Sequence, residues 1–117
     1  MAYDEKLAIR IRKALSGLKK VEEKKMMGGL TFMVNGKMCI GIIKDELMCR
    51  IDPAIYNDCL QKKGCHIMAF TGKPLKGFVL VNNEGMKAKK DFDFWITISL
   101  EFNKKSKAYK RPKSKAS

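Results

Sequence analysis

The residues best suited to covalent chemistry are one histidine and four cysteines. His66 directly follows Cys65, and a cysteine beside a histidine is one way to build a nucleophile. Neighbouring residues in a strand point to opposite faces, however, so a surface histidine beside a buried cysteine is the preferred interpretation. The sequence therefore predicts no catalytic residue and a protein that is not an enzyme.

The cysteines also lack the spacing of a zinc site. They are Cys39, Cys49, Cys59 and Cys65, and no two of them form a C-x-x-C motif. Zinc ligands usually occur in pairs two to four residues apart. We therefore expect reduced thiols in a protein core and no bound metal, which agrees with a cytoplasmic location.

Two short segments place glycine beside lysine and are candidate surfaces for an anion or a partner. Their candidate residues are Lys24, Lys25, Gly28, Gly29, Thr71, Gly72, Lys73 and Lys76. Such a combination can cradle a phosphate, but neither segment has the P-loop pattern or opens a helix. Tight turns are the preferred interpretation. No dinucleotide or methyl-donor fingerprint follows a strand, so no cofactor is expected.

The positive charge of the chain is concentrated at its C-terminal end. Lys+Arg is 25 and Asp+Glu is 12, which gives a net charge of +13. Residues 103–117 contain six lysines, one arginine and no acid, so we expect a basic disordered tail beyond a domain boundary near Asn103. The candidate nucleic-acid contacts are Lys104, Lys105, Lys107, Tyr109, Lys110, Arg111, Lys113 and Lys115. A solvated tail is the preferred interpretation, and weak, non-specific nucleic-acid binding is the alternative.

The rest of the chain has the size and composition of one domain. Its 117 residues are 45% hydrophobic, which excludes a wholly disordered protein. No apolar run approaches the roughly 20 residues of a membrane-spanning helix, so no membrane contact is expected. The first residues also lack the order of a signal peptide.

Helical periodicity is clearest near the start. Asp4 and Glu5 favour a helix N-terminus, and Lys19 and Lys20 favour its end. The predicted apolar stripe is Leu7, Ile11, Ala14, Leu15 and Leu18. A second helix is predicted to begin at the N-cap Asp52 and to run to about residue 63.

Short strands follow the first helix, at residues 30–34, 37–43 and 46–51. Asn35-Gly36 marks a hairpin turn. A three-residue loop with a bulge is preferred over a two-residue turn, because it keeps Phe32 on the same face as Ile40. This register predicts that Met38 faces the core and that Cys39 lies on the face opposite Cys49, where no disulfide can join them.

The strand pattern returns at residues 67–70 and 77–81, and the last element is ambiguous. Residues 92–102 alternate between apolar and polar side chains, which taken alone favours a strand. A helix would instead place Phe92, Trp95, Ile96 and Ser99 on one inner face.

Several segments together resemble the TfoX N-terminal domain family (the TfoX/Sxy proteins). The segments are 2–7, 24–39, 45–50 and 70–79, together with Trp95. The resemblance covers about residues 1–102. The sequence departs from the family pattern at Met27, where an aromatic residue is expected, and at Ala69, where an acid is expected.

The resemblance implies a two-layer α+β fold, with an antiparallel sheet of about five strands and helices packed on it. It also implies that the segment around Trp95 is a helix, and we follow it over the local alternation. Long family members have a second, C-terminal domain and regulate natural competence, working alongside the cyclic-AMP receptor protein at promoters. We therefore expect a stand-alone N-terminal domain that acts as a regulatory module through a protein partner.

Overall fold

The computed structural model describes residues 3–26, 28–70 and 72–106, without the side chains of Met26 and Phe70. Within these ranges, helices cover one face of an antiparallel sheet. The strands are β1 (Val21–Met26), β2 (Gly29–Val34), β3 (Lys37–Ile43), β4 (Glu46–Arg50), β5 (Cys65–Phe70) and β6 (Lys73–Val81). The helices are α1 (Glu5–Ala14), α2 (Tyr56–Leu60), α3 (Asn83–Met86) and α4 (Lys89–Lys105). The predicted two-layer α+β fold is confirmed.

The sheet has the strand order β1-β2-β3-β4-β6-β5, which is one strand more than expected. The additional strand is β1, whose sequence VEEKKM has no apolar alternation. It pairs with β2 from Val21 opposite Val34 to Met26 opposite Gly29. Because its charged side chains are exposed at a sheet edge, only the pairing with β2 identifies it as a strand.

The β2–β3 hairpin has a two-residue turn, so the predicted three-residue loop is wrong. Val34 pairs with Lys37, and Asn35 and Gly36 have φ angles of 55° and 77°. Both central residues therefore adopt the left-handed conformation that an Asn-Gly turn of type I′ requires.

A bulge inside β3 restores the shared apolar face. Phe32 pairs with Ile40 and Met33 pairs with Met38, which leaves Cys39 as an extra residue between them. Phe32 and Ile40 therefore share a face, as predicted. Cys39 joins the main core that also contains Cys49, and the prediction that these cysteines lie on opposite faces is wrong. The reason is that a bulge shifts the alternation of side chains by one position.

Two apolar clusters lie on the two faces of the sheet. The main cluster packs the sheet against the helices, and Phe32, Ile40 and Trp95 are almost fully buried in it. The second cluster, on the other face, is rich in methionine and contains Met38, Met48, Met68 and Phe78. The predicted core position of Met38 is therefore wrong, since this side chain is buried on the second face.

Helix α1 is shorter than the periodicity predicted. Asp4 caps its N-terminus by accepting hydrogen bonds from the backbone N–H groups of Lys6 and Leu7 at 2.8 and 3.3 Å. The helix ends at Ala14, whereas the predicted stripe continued to Leu18. Four members of its inner face are buried, namely Leu7, Ala8, Ile11 and Leu15, while Ala14 and Leu18 are exposed.

The helical segment after β4 begins at Asp52, as predicted, but it ends before the predicted residue. The Asp52 carboxylate accepts a hydrogen bond from the Ala54 N–H at 2.9 Å, and a 3₁₀ turn over Pro53–Ile55 leads into α2. Helix α2 ends at Leu60 rather than at residue 63. A turn follows, and Gly64 with a φ of 78° leads directly into β5.

The last element is the helix that the family resemblance implied. Its buried residues are Phe92, Trp95, Ile96, Ser99 and Asn103. The first four are the inner face that a helix was predicted to have. Burial of one continuous stripe against the sheet therefore outweighs the local strand alternation.

Helix α4 continues past the predicted domain boundary near Asn103. The buried Asn103 side chain donates a hydrogen bond to the Val34 carbonyl at 3.1 Å. Lys37 Nζ donates to the carbonyl oxygens of Asn103 and Ser106 at 2.6 and 3.0 Å. Residues 103–105 of the predicted tail thus belong to the fold, while residues 107–117 lie outside the described residues.

Close packing of β2 on β3 leads to a prediction at Gly29. A Cβ atom there would overlap the Ile42 carbonyl oxygen and approach Ile43 Cα to 3.2 Å. We expect Gly29→Ala to lower the free energy of unfolding by about 2–4 kcal/mol, because two backbones must separate. Gly17→Ala is the control, since a Cβ at Gly17 meets no atom within 4 Å. Urea unfolding measures both, and equal stabilities would contradict the proposed packing.

Candidate functional site

The first lysine–glycine segment lies at the β1–β2 corner of the sheet. Lys24 and Lys25 are exposed on the edge strand β1. Gly28 has a φ of 75° in the turn, and Gly29 is buried where β2 begins. Gly28 therefore serves a turn, as the preferred interpretation predicted. Gly29 serves a close backbone approach, which the sequence pattern did not predict.

The second segment forms the tip of the β5–β6 hairpin. Gly72 has a φ of 82°, and Lys73 and Lys76 are exposed on β6. Thr71 lies outside the described residues. Strands β1 and β5 are opposite edges of the sheet, and the pairing registers put the two turns at opposite ends of the strands. The two segments do not form one site.

The described part of the basic C-terminal segment is the end of α4. Lys105 Nζ lies 3.1 Å from an Asp52 carboxylate oxygen, and Lys104 is exposed. The other predicted contacts lie outside the described residues. They are Lys107, Tyr109, Lys110, Arg111, Lys113 and Lys115.

The Cys65-His66 pair does not form a catalytic arrangement. Cys65 packs against the main core. The His66 Nε2 atom lies 3.0 Å from both carboxylate oxygens of Glu46, on the exposed side of the sheet. Within residues 3–26, 28–70 and 72–106, no group of three His, Cys, Asp or Glu side chains has an arrangement that would hold a metal ion.

All four thiols have a raised pKa, and burial is the main cause. Burial raises the pKa of Cys39 to about 12, although the nearby Arg50 charge opposes the shift. The pKa of Cys65 is also raised to about 12 by burial, and that of Cys49 is raised further. Burial raises the pKa of Cys59 as well. Since the thiolate is the reactive form, these side chains are poor nucleophiles near neutral pH.

A groove of about 480 Å³ lies in the helical layer. It lies between the turn after α2 and the first two turns of α4. Its lining residues are Gln61, Lys62, Lys63, Gly85, Lys90, Asp91, Phe94 and Trp95. This volume is within the range of about 300–1,000 Å³ that is usual for ligand sites.

The floor of the groove is held in place by backbone contacts. Trp95 is buried, and its indole Nε1–H donates a hydrogen bond to the Gly85 carbonyl at 3.0 Å. A side chain at Gly85 would overlap the Lys63 carbonyl oxygen, so glycine is required for α3 to approach the turn after α2. The Phe94 ring meets the Trp95 ring edge-on at a centroid distance of 5.1 Å. The floor is therefore rigid and aromatic.

The rim of the groove is predominantly positive. Lys62, Lys63 and Lys90 are exposed, and Asp91 is the one acid among the lining residues. Lys62 Nζ lies 4.5 Å from the centroid of the Phe94 ring, which is a cation–π distance. This arrangement suits a ligand with negative charge and some apolar surface.

Sequence reasoning missed this groove. The available signal was the spacing of Lys90 from Phe94 and of Asp91 from Trp95, each four residues, which puts each pair on one side of a helix. That signal requires the helical assignment of α4. The residues that follow α2, Gln61 to Lys63, reach the groove through tertiary packing, which no local sequence pattern indicates.

Comparison with known proteins adds a family assignment to this geometry. The sequence model of the TfoX N-terminal domain matches residues 13–103. The chain belongs to the TfoX N-terminal domain family. No curated protein and no solved structure matches it.

The family match confirms the resemblance noted in the sequence, and it includes the sheet, α2, α3 and almost all of α4. The groove therefore lies wholly within the TfoX N-terminal domain. No helix in the described part of the chain is long and apolar enough to cross a membrane.

The raised thiol pKa values lead to a prediction about cysteine reactivity. At pH 8 we expect iodoacetamide to label Cys39, Cys49 and Cys65 of the folded chain at least about tenfold more slowly than it labels N-acetylcysteine, because little thiolate is present. Cys59, whose pKa burial also raises, should react more slowly in the folded chain than in the unfolded chain. The same experiment in 8 M urea is the control, in which labelling of every cysteine should be fast. Mass spectrometry locates the label. Rapid labelling of Cys65 in the folded protein would contradict the conclusion that its thiol is unreactive. Cys65 beside His66 would then again be a candidate nucleophile.

Proposed function

We propose that this chain is a non-enzymatic interaction module that acts through a protein partner in transcription regulation in the cytoplasm. The observation that carries the proposal is the family match over residues 13–103. The resemblance to this family implies the proposed role, because its long members are regulators of natural competence. A fold alone does not determine a function, so the chemistry of the candidate site must also be compatible with binding a partner.

The chemistry of the described residues supports binding rather than catalysis. The thiols are kept protonated by burial, and His66 contacts Glu46 instead of a nucleophile. The groove, by contrast, combines a rigid aromatic floor with exposed charges, and such surfaces suit partner recognition.

A capture experiment tests the proposal. The tagged full chain is used to purify partners from the native cytosol, with and without nuclease treatment. We expect one protein to be captured in both samples, and the purified partner to bind the purified chain. We also expect transcript levels to change when the gene is deleted and to recover on complementation. Capture that depends entirely on nucleic acid, or unchanged transcripts, would contradict the proposal.

A second candidate function is non-specific nucleic-acid binding through the C-terminal segment. The observation that favours it is the charge of residues 103–117, where seven basic residues occur without an acid. Tyr109 adds a ring that is able to stack on a base. Each phosphate that is neutralised on duplex DNA steepens the salt dependence by about 0.9 log units per decade of salt.

Deletion of residues 107–117 tests this second function without shortening α4. We expect weak, sequence-independent binding of the full chain to a labelled DNA duplex at low salt, and most of it should disappear in the deletion variant. Fluorescence anisotropy over a salt series measures both the affinity and the slope. The control is the full chain with Lys24→Gln and Lys25→Gln, which should bind almost normally. Unchanged binding after the deletion would assign the contacts to the folded domain.

A further inference from the structure

The groove between α2 and α4 contains three ammonium groups, and the part of the chain that the structure describes provides no acidic partner for them. Among the described residues, the ion pairs of the chain involve Arg12, His66, Lys89 and Lys105, and none includes Lys62, Lys63 or Lys90. Three lysines and one aspartate give the lining a net charge of +2. An anionic ligand would therefore gain attraction here without breaking an existing ion pair.

The contact between Lys62 and Phe94 limits what kind of anion fits. The ammonium lies over the Phe94 ring at 4.5 Å, so this face of the ring is already occupied by a cation. A nucleobase would have to displace the ammonium in order to stack there. A carboxylate, in contrast, is able to pair with Lys62 in its observed position, while the half-buried remainder of the ring contacts an apolar side chain.

The polar groups beside the lysines also favour a polypeptide. Gln61 and Asp91 line the same groove, and both have oxygen atoms that accept hydrogen bonds. A peptide has backbone N–H donors for these acceptors. A phosphodiester backbone has no such donors.

We propose that this groove binds an acidic segment of a partner protein, with the carboxylates of the segment paired to Lys62, Lys63 and Lys90. The inference rests on the proposed function and deepens it, because it assigns the surface and the chemistry of the partner. The rigid Trp95–Gly85 floor reduces the entropic cost of binding, since the site needs little rearrangement.

The test uses the full chain and a fluorescein-labelled peptide in which glutamate and leucine alternate. Binding is measured by fluorescence anisotropy at about 150 mM salt, where long-range attraction is largely screened. We expect Lys63→Gln combined with Lys90→Gln to raise the Kd about tenfold, since two ion pairs are lost. This double variant leaves the contact between Lys62 and Phe94 intact, and both substituted side chains are exposed.

The matched control is Lys24→Gln combined with Lys25→Gln, which removes the same charge from the distant β1 edge. This control should change the Kd by less than about twofold. Equal losses in the two double variants would overturn the proposal, because they would indicate attraction to overall charge. A peptide of alternating glutamine and leucine that binds equally well would also overturn it.

Two further measurements separate the alternatives. In the ¹⁵N NMR spectrum of the full chain, the acidic peptide should shift the indole N–H signal of Trp95 and the amide signals of Gln61 and Lys63. An unlabelled DNA duplex that displaces the peptide, and whose own binding depends on Lys63 and Lys90, would assign the groove to nucleic acid and overturn the proposal.

Failure of this proposal is distinguishable from failure of the proposed function. If a partner captured from cytosol binds the Lys63→Gln, Lys90→Gln variant as tightly as the unchanged chain, the groove assignment fails and the interaction function stands. If the unchanged chain captures no protein that survives nuclease treatment, the proposed function itself fails.

Discussion

The anchoring of α4 at both ends is the constraint on which the helical layer depends. Near its start, the Trp95 indole is bonded to the Gly85 carbonyl. Near its end, Lys37 and Asn103 connect the helix to the β2–β3 hairpin. A helix leaves its last carbonyl groups without internal partners, and the Lys37 ammonium supplies a charged donor for two carbonyls of this segment. The helix is thereby held across the sheet, and its first turns form one wall of the groove.

The bulge at Cys39 has a comparable effect on the sheet. A regular two-residue hairpin would put Phe32 and Ile40 on opposite faces, so that one of the two would lie outside the main core. The extra residue corrects the register, and both large side chains become fully buried. It also brings Cys39 into the core and moves Met38 to the methionine-rich second face. A single local irregularity thus determines which side chains surround the buried thiols.

Charge is distributed over separate regions of this molecule rather than over one basic face. The β1 edge, the β5–β6 tip, the groove and the C-terminal segment each contain lysines, yet the two glycine-containing turns are diagonally opposite on the sheet. A net charge of +13 therefore does not define a site by itself. Geometry distinguishes the groove, because there the lysines surround a concave and rigid aromatic floor.

The sequence by itself determined the hairpin position, the start of the first helix near Asp4, the Asp52 cap, most of the core strands and, through its family motifs, the α+β fold. These features depend on local chemistry, such as the left-handed preference of Asn35-Gly36. Only the tertiary structure decided that β1 is a strand and that the bulge lies at Cys39, because each depends on partners distant in the chain. For residues 92–102 the local alternation favoured a strand, while the family resemblance implied the helix that burial against the sheet stabilises. The groove also depends on contacts between parts of the chain that are distant in sequence. Gln61 and Asp91 are thirty residues apart, and packing of α4 beside the end of α2 brings them together.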